Sequence, residues 1–274
     1  MLELPESTTI ARQLQQTVCG KTISHVQAAQ SPHGFAFYFE DPAKYPALLV
    51  GQSIKSAEAV AGYVRINTQN AQLLFQDGTN IRYYPAGANL PPKHQLLLQF
   101  ADGSYIVCTV QMYGALMAYP TGVFSNTYYE AAQQKPSPLT KGFTPKYFEE
   151  LCAQTPQKSS IKALLATQQR IPGLGNGCLQ DILFRAGIHP QTKLSSFTPS
   201  QHTQLYKSVV NTLTAMAEGG GRDTEKDLFG QPGGYKTVLN STTVKSPCPQ
   251  CGGALVRKAY MGGNVYFCPV CQPL

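Results

Sequence analysis

Four cysteines near the carboxyl end stand as Cys248-Pro-Gln-Cys251 and Cys268-Pro-Val-Cys271, two C-x2-C pairs with sixteen residues between them. Two thiolates at i and i+3 on a tight turn can share one ion, and two such knuckles supply the tetrahedral four-sulfur set that Zn²⁺ prefers. Disulfides or a redox pair are the other chemistries of such spacing, but a redox C-x-x-C belongs in a βαβ setting that the neighbouring sequence lacks. The intervening "GGALVRKAYMGGNVYF" reads as two short strands about a Gly262-Gly263 turn, a β-hairpin. Sulfur fills all four positions, so the expected single Zn²⁺ has no open place for water and is structural.

The opposite end, "MLELPES", puts Glu3 and Glu6 within reach of the first backbone nitrogen. A free α-amine, with a pKa of about 8, is a usable nucleophile at neutral pH. A carboxylate beside it can donate and accept protons. The plainer alternative makes both acids first-turn carboxylates favoured by a helix dipole. A third stretch, "QRIPGLGNGCLQDILF", places Gly173, Gly175 and Gly177 where a helix opens near Asn176. Its spacing is not the dinucleotide fingerprint G-x-G-x-x-G, and a helix, not a strand, precedes it. A helix N-terminus in a glycine turn suits a backbone phosphate whatever the base sequence. Glycines chosen only for tight helix–helix packing would look the same.

Elements must bring these residues to their places. With 274 residues, 42% of them apolar and 14% charged, the chain suits two globular domains and not a disordered tail. The acid-bearing start is no secretory signal, no apolar run could span a bilayer, and four scattered cysteines suit a reducing compartment, so cytoplasm is expected. "PESTTIARQLQQTVCG" reads as a helix, with Ile10, Leu14 and Val18 at helical spacing and Gly20 as its stop. Seven strand-like runs follow to about residue 120: "FAFYF", "YPALLV", "GYVRIN", "AQLLFQ", "IRYY", "HQLLLQF" and "SYIVCTVQM". They point to a β-sandwich or barrel.

"QQKPSPLTKGFTP" reads as a linker, and helical periodicity resumes in "KYFEELCAQT", "SSIKALLATQQR", "NGCLQDILFRAG" and "PSQHTQLYKSVVNTLTAMAEGG". Residues 219–247 then read as a long, mobile loop. The expected domains are 1–130, a helix with a β-sandwich; 131–244, helical; and 245–274, the four-cysteine finger. Charge is uneven along this order. Residues 1–134 hold seven Lys/Arg against eight Asp/Glu, and residues 135–274 hold fifteen against seven. A basic second half points to a polyanion, nucleic acid before anionic membrane, with a solvated face kept for solubility as the plainer alternative.

Four blocks in this order, "ELPE", "RIPGLGNGCLQDILFRAGIHP", the Gly-Gly segment near residue 220 and the four-cysteine finger, resemble the formamidopyrimidine-DNA glycosylase and endonuclease VIII group of bacterial base-excision repair enzymes. The resemblance implies an α+β chain: an N-terminal helix plus β-sandwich, a helix-two turns-helix domain and a C-terminal β-hairpin zinc finger. It implies a DNA glycosylase/AP lyase acting as a monomer on damaged or abasic double-stranded DNA at the bacterial nucleoid, with no membrane partner. In that group an N-terminal Pro attacks C1′ and forms a Schiff base. Glu3 matches the neighbouring acid and Glu6 the second carboxylate, while Lys162, Gly175 and Asn176 match phosphate-contact positions.

The chain departs from the group's pattern at the reacting centre. Leu2 stands in place of the nucleophilic Pro, so the expected amine belongs to Met1 or to a processed Leu2. Gly62 stands for a catalytic Lys and Gly263 for a phosphate-gripping Arg. Gln111-Met112 replaces an arginine pair before Tyr113-Gly114. Arg222 and Lys226 are the cations that could approach from the 219–247 loop. The other reading these departures support is a damaged-DNA-binding protein without glycosylase or lyase activity.

Overall fold

The computed structural model describes residues 2–274. The chain forms two compact units, the first made of residues 1–133 and 220–234, the second of residues 134–219 and 235–274.

The first unit opens with helix α1 (Leu4–Val18). Pro5 in its first turn and the stripe of Ile10, Leu14 and Val18, all buried, set its start and its inward face. Two sheets follow. One is four-stranded in the order β1 (Ile23–Ala28), β7 (Leu96–Phe100), β8 (Tyr105–Val110), β6 (Thr79–Tyr84). The other is five-stranded in the order β2 (Ala36–Phe37), β9 (Gly114–Pro120), β5 (Ala71–Phe75), β4 (Tyr63–Asn67), β3 (Ser56–Val60). All neighbours are antiparallel except β2 and β9. Ile23, Leu98 and Ile106 from the first sheet share one apolar core with Ile66, Leu73 and Leu116 from the second and with the α1 stripe. This is a sandwich capped by a helix. The outer face of the second sheet is covered by α3 (Thr127–Gln134), through Tyr129 and Ala132.

The run "YPALLV", expected as a strand, is instead the short helix α2 (Tyr45–Leu49), because Pro46 in its first turn favours helix over a ladder that needs its N–H. Strands β1, β3 and β9 were not among the seven runs. β9 is almost wholly buried although it contains Ala and Met, because it lies between two other strands where packing outweighs propensity.

The second unit contains α4 (Pro145–Gln154), α5 (Ile161–Ala166), α6 (Asn176–Ala186) and α7 (Pro199–Glu218). Thr144, Ser160 and Thr198 cap α4, α5 and α7 by accepting from backbone N–H groups. Two turns over residues 167–175 join α5 to α6, the helix-two turns-helix arrangement. Strands β10 (Val256–Tyr260) and β11 (Gly263–Phe267) make the expected hairpin, paired from Val256–Phe267 to Tyr260–Gly263. Among the described residues no helix is long and apolar enough to cross a membrane.

Candidate active site and metal centre

In the first unit, Glu3 is the residue before α1, and Glu6 accepts the Glu3 backbone N–H at 3.3 Å. Up to this point both acids behave as helix-start carboxylates. The decisive addition comes from residue 222. The Arg222 guanidinium clasps Glu6 through Nε to Oε1 at 3.0 Å and Nη2 to Oε2 at 2.9 Å, and its backbone N–H donates to Oε1 at 3.1 Å. Nη1 lies 3.3 Å from Glu3 Oε1. Arg222, Glu3 and Glu6 are 2%, 3% and 4% exposed, so the triad is enclosed by protein. Burying three charges this way is tolerable only because the guanidinium fork satisfies both partners at once.

The segment that carries Arg222 is long and without regular structure, as expected, yet it is pinned. Gly221 adopts φ +98°, and a Cβ on Gly233 would lie 2.2 Å from the Gly221 carbonyl oxygen, so the two backbone strands cross where only glycine fits. Asp227 accepts from Gln13 at 2.8 Å and from the N–H groups of Phe229 and Gln231. Leu228 is buried in the sandwich core, and its carbonyl accepts from the Tyr83 N–H at 2.9 Å. Of the two cations expected from this segment, Arg222 reaches Glu3 and Glu6, while Lys226 is exposed.

Leu2 is 4% exposed and belongs to the sandwich core, and Met1 lies outside the described residues. Gly62 lies in the β3–β4 turn, where the carbonyl of its neighbour Ala61 accepts from the Ser7 hydroxyl at 2.6 Å. The position where the resemblance puts a lysine is thus next to the first turn of α1 and carries no side chain.

Asp77 sits with Gly78 between β5 and β6, and its Oδ1 is enclosed without a hydrogen-bond partner. Burial, and then the like charge of Glu3, push its carboxyl up to about 6. Gly78 has φ +87°, and a Cβ there would lie 1.6 Å from the Tyr113 carbonyl oxygen, so glycine alone lets this turn close on the β8–β9 turn. The Tyr113 hydroxyl is raised in turn, first by the Asp77 charge and then by burial.

This predicts a measurable pH dependence of stability. From about pH 4 to about pH 6 folded Asp77 keeps a proton that the unfolded chain has released, so stability falls as pH rises and then levels off. The shift of about two pKa units corresponds to roughly 2–3 kcal/mol. Asp77→Asn is therefore expected to raise the unfolding free energy at pH 7.5, by up to about 2 kcal/mol, and to flatten that slope. Denaturant titrations at several pH values check it, and an unchanged slope refutes it.

In the second unit the Sγ atoms of Cys248, Cys251, Cys268 and Cys271 all lie within 4.8 Å of one another. Cys248 and Cys271 are separated by 3.8 Å and Cys251 and Cys268 by 3.5 Å. Sulfurs about 2.3 Å from a shared ion at tetrahedral angles stand roughly 3.8 Å apart, so the four residues fit one metal ion. Gln272, fully buried and not foreseen, accepts from the Cys268 N–H at 3.0 Å and donates to the Ile188 carbonyl at 2.9 Å, tying the second knuckle to the end of α6.

Lys162 and Asn176 meet at the hairpin. Lys162 Nζ donates to the Tyr260 carbonyl at 2.6 Å, and burial lowers its pKa. Asn176 Nδ2 donates to the Asn264 carbonyl at 2.9 Å, and Gln180 both donates to that carbonyl and accepts from the Tyr266 N–H. Gly175 stands at the N-cap of α6 and offers it no side chain. A Cβ at Gly263 would sit 3.6 Å from Asn176, which places the residue where an arginine was expected directly beside the start of α6.

Comparison with known proteins accounts for nearly the whole chain. Residues 1–142 match the formamidopyrimidine-DNA glycosylase N-terminal domain and residues 135–227 the formamidopyrimidine-DNA glycosylase H2TH domain. The formamidopyrimidine-DNA glycosylases of Geotalea daltonii and Brevibacillus brevis are 31% and 30% identical, over 99% of this chain and 100% and 99% of their own. The Lactococcus lactis Fpg, in a crystal structure with DNA containing an abasic site, superposes with a TM-score of 0.84 at 24% identity, covering 99% of this chain and 100% of that one. With a sandwich, a helix-two turns-helix unit and a four-cysteine hairpin in the same order along its length, this chain belongs to the formamidopyrimidine-DNA glycosylase family.

Proposed function

We propose that the protein is a DNA repair glycosylase/AP lyase that acts on damaged bases or abasic sites in double-stranded DNA. One observation carries the reading: Glu3, the acid at the chain's start, is kept and is held in a built, buried ion-pair network. A carboxylate needed only to cap a helix does not call for a buried arginine brought from 219 residues away. The basic unit supports the polyanionic partner. Its residues 134–219 and 235–274 carry thirteen Lys/Arg against four Asp/Glu, a sharper asymmetry than the halves of the sequence. Lys162, in the first turn of α5, and Gly175 and Asn176, at the start of α6, are the proposed phosphate-contact residues. The four cysteines hold one structural Zn²⁺, and Glu6 positions Glu3 through Arg222.

The nucleophile at C1′ is the chain's free amine, on Met1 or on Leu2 if Met1 is removed, with Glu3 handling its proton. The test combines base release from lesion-bearing duplexes, borohydride trapping on abasic DNA and the intact mass of the N-terminus. Base release with a trapped adduct, both lost in Glu3→Gln, is the expected result. Release without an adduct makes water the nucleophile. Neither release nor strand cleavage, with lesion-selective binding retained, overturns the enzyme reading and leaves a damaged-DNA-binding protein, which the losses at Leu2, Gly62 and Gly263 would then explain.

A further inference from the structure

Two cavities of about 560 Å³ lie in the second unit, and their cations differ in what they have left to bind. Beside α5, Lys135 Nζ donates to the Gln169 carbonyl at 2.7 Å, and Arg170 donates to the Ala163 carbonyl and to the Thr167 and Gln168 side chains. Both cations there are spent on the turns that follow α5. The other cavity opens between the end of α6 and one face of α7, where Gln204, Lys207, Ser208, Asn211 and Thr212 recur at helical spacing beside Arg185. We propose that this second cavity is a phosphate-binding site, distinct from the contacts proposed at Lys162, Gly175 and Asn176, whose ligand is a phosphoryl group on a small molecule or on duplex DNA. Asn176 and Arg185 stand about 14 Å apart along α6 at roughly 1.5 Å per residue, too far for one phosphate to touch both.

The lining carries two positive charges, Arg185 and Lys207, and no Asp or Glu. Arg185 is aimed but only partly used. Its Nε donates to the Tyr235 hydroxyl at 3.3 Å and its guanidinium carbon lies 5.9 Å from the centre of that ring, so among the described residues Nη1 and Nη2 have no protein partner. A guanidinium held from one side presents its remaining donors as a fork, the geometry that suits a phosphoryl group. The acid that acts on Arg185, Asp181, is fully buried and accepts from the Tyr235 hydroxyl and from the Val238 and Leu239 N–H groups. Lys207 Nζ has no partner among the described residues and adds a mobile point charge. Beneath these cations the floor is buried. The Ser208 hydroxyl is committed to the Ile182 carbonyl at 2.6 Å, whereas that of Thr212, a residue 2% exposed, is enclosed with no hydrogen-bond partner. A buried unpaired hydroxyl is costly, and Thr on a helix splits between two rotamers. A turn about one bond therefore brings this hydroxyl to the cavity that Thr212 lines, where it donates to a phosphoryl oxygen held by Arg185. The volume falls within the roughly 300–1,000 Å³ of small-molecule sites, and the Gln204 and Asn211 amides supply polar contacts for the rest of the ligand.

Amide and arginine side-chain NMR of the full chain, titrated with pyrophosphate and with chloride at matched ionic strength, tests the site. Pyrophosphate is expected to shift the amides of α7 from Ser200 to Thr212 and the Arg185 Nε–H saturably, and chloride to leave them in place. Lys207→Gln changes an exposed side chain with no partner to lose, and should weaken this binding by about tenfold. Thr212→Val should weaken it by a few-fold. Two further arms separate the sources of the phosphate. If duplex DNA supplies it, Lys207→Gln weakens binding of a duplex several turns long, lowers its salt slope by about 1, and bound duplex expels pyrophosphate. If a small molecule supplies it, duplex affinity is unchanged and pyrophosphate binds the DNA complex as it binds the free chain. Shifts that match those of chloride, or that keep full strength in both Lys207→Gln and Arg185→Gln, overturn the site when duplex affinity is also unmoved by these variants. None of these readouts depends on base release, so the site can fail while the glycosylase reading holds, and the reverse.

Discussion

Removing the zinc ion proposed at Cys248, Cys251, Cys268 and Cys271 is expected to melt the carboxyl-terminal hairpin and, with it, the proposed grip on duplex DNA. The expected size follows from how little else holds this element. Its apolar cluster has four buried members, Phe184, Leu239, Cys248 and Cys268, two of them candidate ligands, and of the two strands only Val265 and Phe267 are buried hydrophobics. A two-stranded hairpin is marginal alone, whereas structural zinc contributes an apparent 10–16 kcal/mol in small finger modules at neutral pH. Lys162, Asn176 and Gln180 all bond to the hairpin backbone, so its loss frees the side chains around the start of α6. Chelation, or Cys268→Ser, is therefore expected to erase amide protection across β10 and β11 while β4 and β5 keep theirs. Metal analysis should give one zinc per chain before treatment. Hairpin protection that survives complete metal removal would show that the cluster is not a metal centre.

Arg222→Met carries the second large effect, centred on the first unit. Without the guanidinium, two nearly fully buried carboxylates lose the cation that pairs with both of them. Breaking a buried ion pair from one side costs about 3–5 kcal/mol, because the remaining charge stays desolvated. Adding Glu6→Gln to Arg222→Met should recover a good part of the stability, giving strong non-additivity in a double-mutant cycle. Denaturant midpoints of the four proteins measure it. A penalty below about 1 kcal/mol would mean the triad is solvated and makes no such network.

These two predictions differ in where their information lies. The four-cysteine cluster was legible from spacing, because a C-x2-C knuckle is local: two thiols three residues apart meet by turn geometry alone. Helices α1, α4, α6 and α7 were legible for the same reason, since a 3.6-residue period and a capping residue act within a few turns. The sandwich was legible as a class but not strand by strand. β9 owes its place to neighbours on both sides, and "YPALLV" became a helix through Pro46. Local preference does not decide such segments.

The chemistry of the first unit was half legible. The sequence by itself placed Glu3 and Glu6 at the chain's start and showed glycine or leucine where a lysine, an arginine and a proline were expected, since residue type at a motif position needs no fold to be read. That Arg222 closes on both acids, and that Asp77 is an enclosed carboxyl raised by the charge of Glu3, only the tertiary structure decided. Those groups lie 216 and 74 positions from their partners, and burial, which sets their charge states, belongs to the packed chain and to no stretch of it.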